Sequence, residues 1–245
     1  MKIQYFKGSF FHTPVHGQLE FVEEALLLVN EEGIIQSIVR PTDEMYADTL
    51  HAAKQTPDFV ELAQGQYFLP GFIDLHVHAP QWPQAGVALD TPLNHWLDEC
   101  TFPLEAKYED VDFAKEVYQD LVAHLLAQGT TTVLYFATVH QAASLALAEI
   151  CGQQGQRGLV GKVVMDLEEM NPSYYRDASA QSAIEETESF ILAVKELGKD
   201  VKQGIYPVVT PRFVPSCSEE ALRGLGNLVQ KHHVHVQSHC SESQW

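Results

Sequence analysis

Apolar and polar positions follow two different rhythms along this chain. Up to about residue 70 the apolar residues come in short runs, KIQYF, ALLLVN, IIQSIV and QYFLP, separated by turn signals at Asn30–Gly33 and Gln64–Gln66. Strand-length runs punctuated in this way predict a small antiparallel sheet built from hairpins. From Gly71 onward the rhythm changes to strands alternating with long helices. The strands are predicted at 72–78, 131–137, 159–166, 205–211 and 233–239, and the helices at 111–129, 141–155, 182–198 and 218–232. The helical segments carry apolar residues three and four apart, as in Phe113, Val117, Leu121 and Leu125. Three of them close on Gly129, Gly155 and Gly198, and the fourth opens on Ser218 with Glu219 and Glu220 behind it, an N-cap pattern.

Strands alternating with helices imply βαβ units and a parallel sheet. Five strands with four completed repeats suit either a doubly wound open sheet or part of a β/α barrel. In both, chemistry gathers at the C-terminal ends of the strands. The stretch from Ala79 to Asp110 interrupts the alternation just after the first of these ends. Its length, far beyond an ordinary βα connection, predicts a functional loop of the lid type.

In a strand over 72–78, Asp74, His76 and His78 share one face. Two imidazoles so placed can converge on one cation such as Zn²⁺ or Fe²⁺; the alternative is a pair of histidines that merely pack or hydrogen-bond at a strand end. His239 ends the fifth strand, and Glu242 follows three residues later. A carboxylate there is placed for general acid and base work beside a metal, or is simply a solvated loop acid. Gln237 and His235 have the same parity as His239, and His235, further from the strand end, reads as structural. At the end of the fourth strand Arg212 offers a fork of donors for a carbonyl or carboxylate, or bridges surface acids, and Phe213 can stack on a planar ring. Gln81 has a donor and an acceptor suited to the edge of a heterocycle.

Composition narrows the field. Fifteen Lys and Arg against 33 Asp and Glu give a net charge of −18, which excludes a protein that holds nucleic acid by displacing counterions. A 45% hydrophobic share with 20% charged residues is that of a globular chain. The four cysteines form no CxxC pair, and neither a signal-type h-region nor an apolar run of membrane-spanning length occurs, so a cytoplasmic protein with no membrane partner is expected.

The segment LPGFIDLHVH (69–78) resembles the opening metal motif of the amidohydrolase superfamily, and HAPQ (78–81), GTTTVLYFATVH (129–140), GQRGLVGKVVMD (155–166), VTPRFVPSCSE (209–219) and QSHCSE (237–242) are similar to the guanine deaminase family. The resemblance implies an α/β fold: a (β/α)8 TIM-type barrel, incomplete here at about five strands, over residues 71–245, after an N-terminal part of a small β-sandwich over 1–70. It implies hydrolytic deamination of guanine to xanthine and ammonia in purine catabolism, with one Zn²⁺ per site and guanine as the small-molecule partner of a homodimer. By the same resemblance His76, His78 and His239 match metal ligands, and Glu242 matches the proton-shuttling glutamate. Gln81, Arg212 and Phe213 match positions that hold the purine. The family pattern adds a histidine and an aspartate from later strands, beyond Trp245, so this chain by itself is expected to be inactive. The other readings are a catalytically inactive short product or partner-binding fragment, and an amidohydrolase acting on another amino-heterocycle.

Overall fold

The computed structural model of the protein describes residues 2–242 and divides the chain into two compact units, Met1–Gly71 and Phe72–Trp245. In the first unit β1 (Ile3–Val15) and β2 (Gln18–Asn30) form a long antiparallel hairpin, in register from Ile3 opposite Asn30 to Val15 opposite Gln18 with two irregularities. β3 (Ile35–Val39) extends the sheet antiparallel to β2, and two short strands, β4 (Val60–Glu61) and β5 (Tyr67–Phe68), pair parallel with β1. The hairpin is longer than its densest apolar runs predict, because the strands continue through polar positions whose backbone ladder is still satisfied. α1 (Tyr46–Lys54) packs Ala53 into a small core with Leu26 and Val39. Phe10, Val22 and Ala25 form another.

The second unit is an incomplete TIM-like barrel. Its sheet runs β11–β10–β8–β7–β6, all parallel, with β9 continuing β8 against β10. β6 is Phe72–His78, β7 Thr130–Phe136, β8 Arg157–Gly161, β9 Val163–Val164, β10 Ile205–Pro211 and β11 His235–Val236. The predicted spans 72–78 and 205–211 match their strands residue for residue, whereas two others are shorter or broken. The third breaks at Lys162, whose side chain is fully buried on an ion pair. The fifth loses its regular ladder after Val236. Val209 pairs with Val236 and accepts from the Gln237 N–H, so the next rung needs an N–H from residue 211, a proline. Contact nevertheless resumes where the His239 N–H reaches the Arg212 carbonyl at 3.3 Å.

The helices lie where their periodicity places them: α4 (Val111–Ala127), α5 (Gln141–Gln154), α6 (Ala180–Gly198) and α7 (Glu219–His232). Asp110 caps α4 by accepting from Asp112 and Phe113 N–H, and Ser218 caps α7 by accepting from Ala221. α5 stops at Gly155, whose φ of 86° is the left-handed conformation that a residue without Cβ adopts freely. Leu121, Leu147, Cys151 and Val194 from three of the helices meet Val133, Tyr135 and Val160 from the strands in the main core.

On the inner side of the strands the packing is tighter. Gln237 donates to the Tyr135 carbonyl at 2.8 Å and to Thr210 Oγ1 at 3.0 Å, crossing directly over Gly161. The segment 79–110, predicted as a loop, instead coils into consecutive helical turns. They comprise a 3₁₀ turn at Ala79–Gln84, α2 (Leu93–Trp96), a π turn at Leu97–Thr101, α3 (Phe102–Glu105) and a second 3₁₀ turn at Ala106–Glu109. Phe102, Tyr108, Thr101 and Glu105 are buried, so this segment is part of the packed structure.

Candidate active site

The strand ends bring the candidate residues together from far apart in sequence. His239 Nε2 lies 3.0 Å from His78 Nε2 and 3.3 Å from His76 Nε2, and the three candidate ligand nitrogens fall within 4.8 Å of one another. His239 Nδ1 is 2.6 Å from the Arg212 carbonyl, to which it donates. That bond fixes the proton on Nδ1 and leaves Nε2 with a bare lone pair. A single lone pair facing two further imidazole nitrogens has no good resolution by hydrogen bonding alone, and His78 Nδ1 is buried without a protein partner among the described residues. A cation taking lone pairs from all three rings resolves the cluster. Ligand nitrogens about 2.0–2.1 Å from a tetrahedral Zn²⁺ stand about 3.3 Å apart, close to the spacings here. The donor set therefore fits a transition-metal ion.

Electrostatics favour the ligand form. Burial pushes the His78 imidazole well below its usual range, with the Arg212, His239 and His76 charges acting in the same direction. Burial and His239 also lower His76, partly opposed by Glu242 and Asp74. Both rings are thus kept neutral, as metal binding requires. Asp74 shares their face, but its carboxylate accepts from the His76 backbone N–H at 3.0 Å. Phe136 stacks on the His78 ring with centroids 4.7 Å apart and planes inclined by 19°.

Beside the histidines is a cavity of about 130 Å³ lined by Gln81, Trp96, Leu97, Arg212, Phe213 and Glu242 as well as the three rings. A neighbouring one of about 340 Å³ shares Leu97, Phe213, His239 and Glu242. Ser241 adopts a left-handed φ of 58° in the turn between His239 and Glu242, and Glu242 is exposed. His76, His78, Gln81, Arg212, Phe213, His239 and Glu242 thus line one cavity, while Asp74, His235 and Gln237 are not among its lining residues.

Arg212 has a partner that the sequence did not suggest. Its Nη1 donates to Glu105 Oε2 at 2.6 Å and Nη2 to Oε1 at 3.4 Å, and its guanidinium carbon stands 4.9 Å from the Phe102 ring centroid. Burial works against the Arg212 charge, yet Glu105 and Tyr175 outweigh it and hold the pKa above the ordinary arginine value. Gln81 Nε2 donates to Glu105 Oε1 at 2.9 Å. Glu105 is the residue that pattern reading misses, because an acid after Phe102, Pro103 and Leu104 looks like an ordinary solvated helix end. A second buried pair also escaped it: Lys162 Nζ meets Asp177 Oδ1 at 2.8 Å, and Asp177 Oδ2 accepts from the Met165 N–H at 2.7 Å.

A parallel β/α barrel arrangement with imidazoles converging at its strand ends defines a class of metal-dependent hydrolases. The profile of the amidohydrolase family matches residues 67–245, and the chain belongs to that family, whose members are typically metal-dependent. More particularly, it is 37% identical over 239 residues to a probable guanine deaminase of Schizosaccharomyces pombe, covering 97% of this chain and 45% of that protein. It is 38% identical over 239 residues to the guanine deaminase of Homo sapiens, covering 98% of this chain and 51% of the other. Its structure resembles that of guanine deaminase from C. acetobutylicum with bound guanine in the active site, with a TM-score of 0.84 at 33% identity over 99% of this chain and 54% of that one. The chain spans about half the length of the curated relatives it matches. No helix among the described residues is long and apolar enough to cross a membrane.

Proposed function

We propose that the protein carrying this chain is a guanine deaminase, hydrolysing guanine to xanthine and ammonia, with His76, His78 and His239 holding a zinc ion. The observation that supports this most directly is the coincidence, in one cavity, of the three imidazoles with Gln81, Arg212, Phe213 and Glu242. Zinc, or another borderline divalent ion such as Fe²⁺, supplies a water activated for attack at neutral pH. Glu242, at the rim, takes up the proton released as the new C–O bond forms and returns it to the exocyclic nitrogen. The C–N bond then breaks with ammonia as the leaving group. Phe213 packs on the purine face, and Arg212 with Gln81 addresses its polar edge. Residues 1–70 serve as part of a β-sandwich and 71–245 as the first part of the barrel. A cytoplasmic homodimer follows from the resemblance alone.

The test is turnover by the full-length protein loaded with zinc, followed as guanine disappears and xanthine forms. Glu242→Gln is expected to lower kcat by about 10²–10⁴-fold, the usual weight of a positioned proton shuttle. Near-normal turnover by that variant would remove the role assigned to Glu242, and a wild-type protein inert toward guanine would remove the whole reading.

A further inference from the structure

Glu105 occupies an unusual position. It is fully buried, it comes from the helical segment and not from a strand end, and its two oxygens serve both residues assigned to the polar edge of the ligand. A carboxylate paired with a guanidinium accepts hydrogen bonds and donates none. The Gln81 amide has its NH₂ turned toward Glu105, since the flipped amide would set two oxygens 2.9 Å apart. Gln81 Oε1 is consequently the free end of that side chain, with no protein donor among the described residues, and it belongs to a residue lining the cavity. Arg212, meanwhile, spends two of its five N–H groups on the same carboxylate and points a third at Met165 Sδ, 4.0 Å from Nη1, which leaves two as donors without a protein acceptor among the described residues. One buried acid thereby orients Gln81 so that the cavity offers an acceptor from its Oε1 beside the donors that a guanidinium always carries.

We infer that Glu105 is a positioning residue that sets the hydrogen-bonding polarity of this cavity, so that it receives the lactam edge of an oxopurine and refuses the amidine edge of an aminopurine. A lactam presents N–H beside C=O, complementary to an acceptor beside a donor. In an amidine edge the ring nitrogen accepts and the amino group donates, which reverses both contacts. Sites that hydrogen-bond their ligand discriminate strongly against analogues with the wrong complement, because a buried polar group is then left unpaired. The inference rests on the reading of Gln81 and Arg212 as the residues facing the ligand's polar edge.

The experiment compares guanine with 2,6-diaminopurine, which keeps the 2-amino group but replaces the lactam by an amidine. Both are assayed with the full-length zinc-loaded protein. In Glu105→Gln the new amide can present either a donor or an acceptor, so Gln81 is free to flip. The ratio of kcat/KM for guanine to that for 2,6-diaminopurine, or of inhibition constants if the latter is not turned over, should fall about tenfold or more, the factor that one charge-assisted hydrogen bond represents. Most of the change is expected in KM for guanine, with zinc content unaltered. Equal losses on the two purines would show Glu105 to be merely structural and overturn the inference. If Glu105→Gln yields too little folded protein, Glu105→Asp retains the charge at a shorter reach. It should move the ratio in the same direction by a smaller factor, and an unchanged ratio there overturns the inference as well. A wild-type protein that does not deaminate guanine defeats the underlying reading before any variant is made, so the two failures are distinguishable.

Discussion

The pair formed by Lys162 and Asp177 gives the sharpest energetic prediction. Both side chains are almost completely buried, at 0% and 3% exposure. The ammonium also reaches the Val163 carbonyl at 3.3 Å and Glu186 at 3.5 Å, while Asp177 accepts from the Met165 N–H. The pair thus fastens the loop after β9 to the break between β8 and β9. Asp177→Asn keeps shape and volume but turns one acceptor into a donor, which must face either the ammonium or the Met165 N–H. Breaking one side of a buried pair costs about 3–5 kcal/mol. Glu186 remains nearby, although half exposed, so the lower end is expected. At about 2–4 °C per kcal/mol for a domain of this size, the midpoint should fall by roughly 6–12 °C. Lys162→Met leaves the carboxylate stranded and should cost a comparable amount. The double variant Lys162→Met/Asp177→Asn removes both charges while an amide oxygen still accepts from Met165, so it should be more stable than either single variant. Thermal and urea melts followed by circular dichroism measure all three. A loss below about 1 kcal/mol for Asp177→Asn, or a double variant that sums the single losses, would refute the reasoning, since buried partners must couple.

Three further outcomes follow from the structure. Gly161→Ala would place a Cβ overlapping Thr210 Oγ1 and 2.8 Å from Gln237 Nε2, so a loss of about 1–3 kcal/mol is expected; an unchanged melt would mean that the inner layer is looser than its contacts indicate. His140 has its pKa lowered from 6.5 by burial, with Glu109 opposing and Lys162 assisting, and its Nε2 is buried without a partner among the described residues. The unfolded chain therefore binds this proton more readily, so the stability His140 contributes is complete above about pH 6.5 and is lost as pH falls through its lower folded value. Melts at pH 7.5 and 5.5 should show a smaller acid loss in His140→Gln than in the wild type, and equal losses would contradict the assignment. Finally, zinc added to the chelator-treated protein at 100 times its dissociation constant should stabilise it by about 2.7 kcal/mol. His239→Ala should abolish most of that gain, and an undiminished gain would place the ion elsewhere.

What was legible in the sequence is what local physics controls. Strand and helix periods, the Asp110 and Ser218 caps and the turn-rich first 70 residues each depend on neighbours a few positions away, so the elements and two strand spans could be read directly. The shared parity of His76 and His78 is equally local, and it placed both at one strand end. Tertiary structure alone decided which groups meet. His78 and His239 are separated by 161 positions and Arg212 and Glu105 by 107, and no periodicity reports such a contact. The same holds for the fate of residues 79–110. Their turn-rich composition resembles a loop, and only the tertiary structure shows that Gln81, Leu93, Trp96 and Leu97 form a wall of the site. Glu105 and Lys162 look solvated in sequence because charged residues usually are. Burial becomes tolerable only where a partner arrives from a distant segment, so their environment is a property of the assembled barrel and not of the local chain.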